Sequence, residues 1–308
     1  MRDKRVYVGR DKNDEKVIIK ISNSYGGMEE IKSEKRAQGT LSNVTFSREK
    51  ILFPEEILYK ESPQHTIRIT KFIDQEKVFS AYSLEEKFFM IIKELEIEEA
   101  FYANTYEHIG VVKNIFPVSH ATDYIRSLKS FEVGPKKGDA LKLLEKNVDL
   151  IETRSNYLTH TDFVPSNFRV SGGHLYMIDL SSMHFANRYE GLARFLNWCI
   201  IHDLKLEELI TEYIKKNRGE EELLCLRLLR IYKAGFLINH YKNTLNKTQG
   251  DLHILNQKRL DLWQYFLECL LDNKSINQSK VNKYRSERNK LRSKDELERQ
   301  KEFNIPTL

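Results

Sequence analysis

The chain has 308 residues, with 50 Lys and Arg against 45 Asp and Glu and a net charge of +5. That length holds one large domain or two lobes with separate cores. The charges are interspersed, so net charge alone gives no case for nucleic-acid or membrane binding. Cys199, Cys225 and Cys269 stand far apart in apolar, helix-like settings, which excludes a disulfide frame or a zinc site. No apolar run reaches membrane-spanning length and "MRDKRVYVGR" is no secretory leader, so a cytoplasmic protein is expected.

Residues 4–22 read as a β-hairpin: "RVYV" alternates, "GRDKNDE" is a polar turn and "KVIIKIS" is β-branched. "SYGG" reads as a break, and a helix follows from Met28, with Ile31, Ala37 and Leu41 on one face. "EEILYKES" and "TIRITKFI" read as two strands about a Ser-Pro turn, giving a small lobe that ends near Asp74. "SLEE" at Ser83–Glu86 is a capping box that opens a long helix. A second helix is expected from Asp139, as N-cap, through Leu158. Gly172-Gly173 should turn the chain into the short strand "HLYMIDL". Beyond it the periodicity is helical over 190–202, 205–217, 220–245 and 252–272, and the tail from Lys274 is expected to be partly helical at most.

One stretch concentrates chemistry: "YLTHTDFVPSNFRVSGGHLYMIDLSS", residues 157–182. Phosphoryl transfer asks a protein for positioning and charge neutralisation, and little else. It needs a carboxylate to take the proton of the attacking hydroxyl, oxygen ligands for magnesium, and a lysine, fixed by an acid, for the phosphates. Asp162 can be that base, in a loop stiffened by Pro165. Asn167 offers an amide oxygen and Asp179 a carboxylate at a strand end, while His160 can hold the loop in shape. Lys20 closes the apolar run "VIIK", and Glu34 lies on the helix that follows. Taken singly, each has a plainer explanation: Asp and Asn favour turns, and lysines guard edge strands. Their joint type and spacing favours the kinase reading.

"HTDFVPSNF" followed by "YMIDLSS" resembles the catalytic and metal-binding segments of the aminoglycoside phosphotransferase and choline kinase group of small-molecule kinases. His160, Asp162, Pro165, Asn167, Ile178 and Asp179 all match that group's pattern. The resemblance implies an α+β, bilobal protein-kinase-like fold, with a small antiparallel-sheet N-lobe carrying one helix and a large, mainly helical C-lobe. It divides the chain into a nucleotide-binding lobe at 1–74, a helical lobe at 75–273 and a charged tail at 274–308. It also implies ATP or GTP as co-substrate with Mg2+. Asp162 and His160 then serve catalysis, Asn167 and Asp179 the metal, Lys20 and Glu34 the phosphates, and Lys71, Phe72 and Ile73 the adenine hinge. "NRYEGLARFLNW" resembles the helix after the metal aspartate, with Glu190 and Gly191 altering its usual Tyr-Asp-Leu-Ala. The chain opens almost at the group's second strand, and no Gly-rich phosphate loop is visible.

The implied function is an ATP- or GTP-dependent phosphotransferase acting on a hydroxyl of an aminoglycoside-, choline- or sugar-like molecule. The competing reading, motivated by the absent glycine-rich loop, is a non-catalytic kinase-like nucleotide-binding or scaffold protein. A choline acceptor would need an aromatic cage, and aminoglycosides an acidic pocket; "KLEELITEY" and "GEEELL" offer carboxylates but read equally as solvated helix faces. Residues 274–303 carry ten Lys/Arg against five Asp/Glu. That is a weak case for a nucleic-acid partner and a better one for a solvated helix with Glu-Lys pairs. Oligomeric state is not legible.

Overall fold

A computed structural model of the chain describes residues 4–43, 50–105 and 115–293. Strands β1 (Lys4–Arg10), β2 (Lys16–Ser22), β3 (Glu56–Glu61) and β4 (Thr66–Lys71) form one antiparallel sheet in the order β1-β2-β4-β3. The polar turn and the β-branched run make the hairpin as the sequence implies. Helix α1 (Tyr25–Asn43) crosses one face of this sheet. It begins within the stretch read as a break. Ser24 caps it, its Oγ accepting the Gly27 N–H at 3.3 Å. A Cβ on Gly27 would lie 2.2 Å from Ser22 Oγ, so the glycine serves close helix-strand approach.

The rest is mainly helical. Helix α2 (Leu84–Thr105) starts at the expected capping box: the Ser83 N–H donates to Glu86 Oε2 at 2.7 Å and the Glu86 N–H to Ser83 Oγ at 3.2 Å. Helix α3 (Ala121–Ser130) has no counterpart among the sequence expectations. Its N-terminus is held by Glu152, which accepts the Ala121 N–H at 2.8 Å from far along the chain. The helix expected from Asp139 is instead two: α4 (Lys137–Lys146) and the short α5 (Val148–Glu152), with Asp139 inside the first turn and not at the cap. The end of that expected helix is a strand, β5 (Tyr157–His160), paired antiparallel with β8 (Met183–Ala186). Between them lies the hairpin β6 (Phe168–Ser171) and β7 (His174–Met177), turned by Gly172 and Gly173 as expected.

Helices α6 (Glu190–His202), α7 (Leu204–Arg218), α8 (Glu220–Leu245) and α9 (Gly250–Leu271) follow the predicted spans closely. The tail differs. Residues Gln278–Leu291 form helix α10, which packs on α6 and α9 and buries Val281, Tyr284 and Arg288. The charge-rich composition hid this apolar seam. Residues 294–308 of the expected tail, and 106–109 of the helix begun at Ser83, lie outside the described residues. The three cysteines are buried and free. No described helix is long and apolar enough to cross a membrane.

Candidate active site

The loop between β5 and β6 is built to hold one shape. Phe163 and Phe168 at its two ends pack together, with centroids 5.2 Å apart, and each also meets a buried partner, Phe195 or Phe79. Pro165 opens a single turn of 3-10 helix that ends at Asn167. From there the Asn167 Nδ2 donates to the Asp162 carbonyl at 2.8 Å and to its Oδ2 at 2.9 Å. The five-residue spacing thus closes a small ring. On the other side the Arg194 Nε donates to Asp162 Oδ1 at 2.8 Å. The Asp162 side chain stays 46% exposed, so a substrate hydroxyl can reach it. Burial pushes its pKa up, but Arg194 foremost, with Lys233, overcomes this and holds the carboxylate below its usual range.

His160 is fully buried. Its Nε2 faces the Asp179 carbonyl at 3.2 Å, and since a carbonyl only accepts, Nε2 carries the proton. Burial keeps the ring neutral, against the pull of Asp179 and Asp162. His160 therefore ties the Asp162 loop to Asp179 as a fixed neutral donor. A second tie comes from the Ile178 N–H, which donates to the Asn167 carbonyl at 2.9 Å. Asp179 adopts the left-handed conformation, φ 67° and ψ 53°, which Asp tolerates better than most residues. Its Oδ1 accepts from Ser181 Oγ at 2.6 Å.

The sheet supplies the opposing wall. The register pairs Lys20 on β2 with Arg68 on β4, so two cations stand side by side, an arrangement that destabilises a sheet unless an anion lies between them. Glu34 of α1 is that anion: fully buried, it takes Lys20 Nζ at 2.6 and 2.7 Å and Arg68 Nη1 at 2.7 Å. Lys4 joins from β1, 2.5 Å from Glu30 and 3.5 Å from Glu34. Helix α1 rests on the turn Leu180–Ser182, which carries Asp179 into this cluster. Oxygens of Glu30, Glu34 and Asp179 lie within 4.8 Å of one another. Burial pushes Asp179 up, and Lys4 and then Lys20 more than offset it, leaving the carboxylate ionised. Asp179 and Asn167 are hard oxygen donors of the kind magnesium takes, so the residues present fit that ion.

The residues expected at the hinge lie at the end of β4. Lys71 is exposed and paired with Glu55 at 2.7 Å. The main-chain N–H groups of Lys71 and Phe72 donate to the carbonyls of Glu55 and Lys16. Ile73 follows, half-buried, where the chain leaves the sheet.

Sequence reasoning missed Arg194, Lys233, Lys4, Arg68 and Glu98. Lys233 donates to the Thr161 carbonyl at 3.0 Å and to buried Glu190 at 2.6 Å, bracing the loop from α8. Gly191 has a reason too: a Cβ there would lie 2.8 Å from the His160 carbonyl. Only Arg194 had a local signal, being on the helix already singled out.

Glu98, buried in α2, accepts the His160 N–H at 2.8 Å and the Thr159 hydroxyl at 2.7 Å. Burial pushes it up to about 7, despite those two donors. The native state then holds a proton the unfolded chain has lost, from the ordinary carboxylate pKa of 4.5 up to about 7. Stability therefore falls as pH rises through that window and levels off above it. In Glu98→Gln this slope should vanish, changing the stability difference from wild type by at most ~3 kcal/mol between pH 4.5 and 7.5. Urea midpoints measured across that range test it; parallel pH curves for the two proteins would refute it.

The sheet with its single helix, set on a mainly helical part through the Asp179 turn, is the protein-kinase-like fold of the aminoglycoside phosphotransferase group. Three solved structures illustrate the likeness. The GDP complex of aminoglycoside 2′-phosphotransferase-IIIa aligns with a TM-score of 0.63 at 12% identity, over 85% of this chain and 90% of that one. A thermostable aminoglycoside phosphotransferase APH(4)-Ia, in ternary complex with AMP-PNP and hygromycin B, aligns at 0.60 and 12% identity, over 89% and 95%. An amicoumacin kinase with AMP-PNP, Ca2+ and Ami aligns at 0.58 and 13%, over 90% and 88%. At these identities the likeness is one of fold. No protein-family model matches the sequence, and no curated protein matches it.

Proposed function

We propose that the chain is a cytoplasmic, nucleotide-dependent phosphotransferase acting on a hydroxyl of a small molecule. The observation that carries this reading is the buried Lys20–Glu34 pair set against Asp179, with the Asp162–Asn167 ring tied to the same turn. Lys20 is the phosphate lysine and Glu34 fixes it. Ile73, with its neighbours Lys71 and Phe72, meets the base of ATP or GTP. Asp162 orients the acceptor hydroxyl and receives its proton as the acceptor oxygen bonds to the γ-phosphorus. The bond to the β-phosphate oxygen breaks in the same exchange, leaving a phosphorylated acceptor and a nucleoside diphosphate. His160 positions both aspartates. Magnesium, held by Asp179 and Asn167, would neutralise phosphate charge. The nucleotides named in the neighbours of this fold support the reading.

Thermal-shift titration with ATP and Mg2+ tests it. A saturable rise in melting temperature is expected, lost in Asp179→Ala. No shift in the wild type would remove the nucleotide and with it the proposal.

A second reading has its own support. Arg194 already engages Asp162, and Lys4 and Lys20 already balance Asp179. Both contacts suit a nucleotide-binding scaffold without turnover. A shift with MgATP and no consumption of ATP, across a panel of hydroxylated acceptors, would favour it.

A further inference from the structure

A cavity of about 390 Å³ opens beside the Asp162 loop, lined by Val164 and Ser166 of that loop and by Arg194, whose Nε holds Asp162. The rest of its wall comes from α6, α8, α9 and the tail helix α10. Four arginines line it, Arg194, Arg259, Arg288 and Arg292, and no carboxylate does among the described residues. Trp198 and Trp263, the only two tryptophans of the chain, line it as well.

Arg288 is the decisive residue. It is 3% exposed, and its Nε is buried without a hydrogen-bond partner. Two other deeply buried arginines meet acids: Arg68 meets Glu34 and Glu56, and Arg230 meets Glu207 at 2.5 Å. Arg288 meets no carboxylate among the described residues, and its guanidinium instead lies over the Tyr284 ring at 5.9 Å. Burial, with Arg292, Arg285 and Arg259 nearby, pushes it down to about 10. Burial and the same cluster, Arg288 foremost, keep His202 in the cavity wall neutral. A buried cation among cations is costly unless an anion joins it. Guanidinium groups match phosphate and carboxylate in geometry, and the tryptophan faces suit a ring or carbon frame between the anion and the hydroxyl.

We propose that this cavity is the acceptor site, and that the acceptor is a small hydroxylated molecule bearing a phosphate or carboxylate group, its anion on Arg288 and its hydroxyl at Asp162. This rests on the phosphotransferase reading for the hydroxyl, but not for the anion. It disfavours the cationic acceptors, aminoglycoside or choline, that the sequence resemblance brings to mind.

The two tryptophans report binding directly. Inorganic phosphate, a tricarboxylate and a cationic amino sugar would each be titrated into the full chain while tryptophan emission is followed. A saturable change with phosphate or with the tricarboxylate, but not with the amino sugar, is expected, and the tighter of the two anions names the group. Arg288→Met should weaken that anion about tenfold or more. Should that variant fail to fold by circular dichroism, Arg259→Gln at the same cavity should weaken it severalfold. Saturable binding of the amino sugar alone, no change with either anion, or anion binding untouched by the arginine variants would each overturn the proposal. The MgATP titration separates the two claims: anion binding without an MgATP shift sinks the phosphotransferase reading and leaves an anion site, whereas a shift without anion binding does the reverse.

Discussion

Asp162→Asn is expected to slow phosphoryl transfer by about a hundredfold to ten-thousandfold, with MgATP affinity unchanged. The substitution keeps the shape of the side chain and removes its charge. Two donors grip the wild-type carboxylate, Arg194 at one oxygen and Asn167 at the other. An amide offers one oxygen, so its NH2 must face one of those donors. The carboxylate is held below its usual pKa range, with burial opposing and Arg194 leading the pull downward. It is thus a weak base, and in the proposed reaction it would orient the hydroxyl and receive the proton late, once the phosphorus–oxygen bond is forming. Loss of rate with constant nucleotide affinity follows from the proposed roles, which give the contacts to phosphate and metal to Lys20, Asn167 and Asp179. Single-turnover transfer assays beside MgATP titrations would decide. A variant that transfers phosphate at the wild-type rate would remove Asp162 from the chemistry and hand the advantage to the scaffold reading.

What the sequence made legible was local or strongly periodic. The Ser83–Glu86 capping box and the long helices α6 to α9 depend on neighbours in sequence, and patterning reports them. The Lys20–Glu34 pair was legible because a lysine at the end of a β-branched run and a glutamate on the next helix can meet in few ways. Other features answer to distant partners. Helix α3 is held at its start by Glu152 and α1 starts where Gly27 lets it approach Ser22. Strands β5 and β8 are short and pair with each other and, through a single bridge at Phe185, with Val118. Helix α10 looked like a solvated tail because its charges outnumber its apolar residues, yet Val281 and Tyr284 are buried along it. Docking carries Arg288 and Arg292 into the wall beside the Asp162 loop. The acceptor pocket was therefore the least readable part, since helices far apart in sequence build it.

Glu34→Ala should be the most destabilising single change at the site, costing about 3–5 kcal/mol. The carboxylate has no exposure, and its loss strands Arg68, itself 4% exposed, with only Glu56 left to it among charged partners. Lys20 and Arg68 would then face one another across β2 and β4 with nothing between them. Lys20→Met should behave differently. Its side chain keeps 15% exposure, so stability changes less, and removing one of two adjacent cations relieves the repulsion that Glu34 otherwise absorbs. Its cost should instead fall on nucleotide affinity. The two variants thus separate structural from functional use of one ion pair. Urea unfolding of both, paired with MgATP titration, is the measurement. A Glu34→Ala protein within about 1 kcal/mol of wild type would mean the buried network is not what joins α1 to the sheet. A Lys20→Met protein with an undiminished MgATP shift would mean the lysine holds the fold and no phosphate.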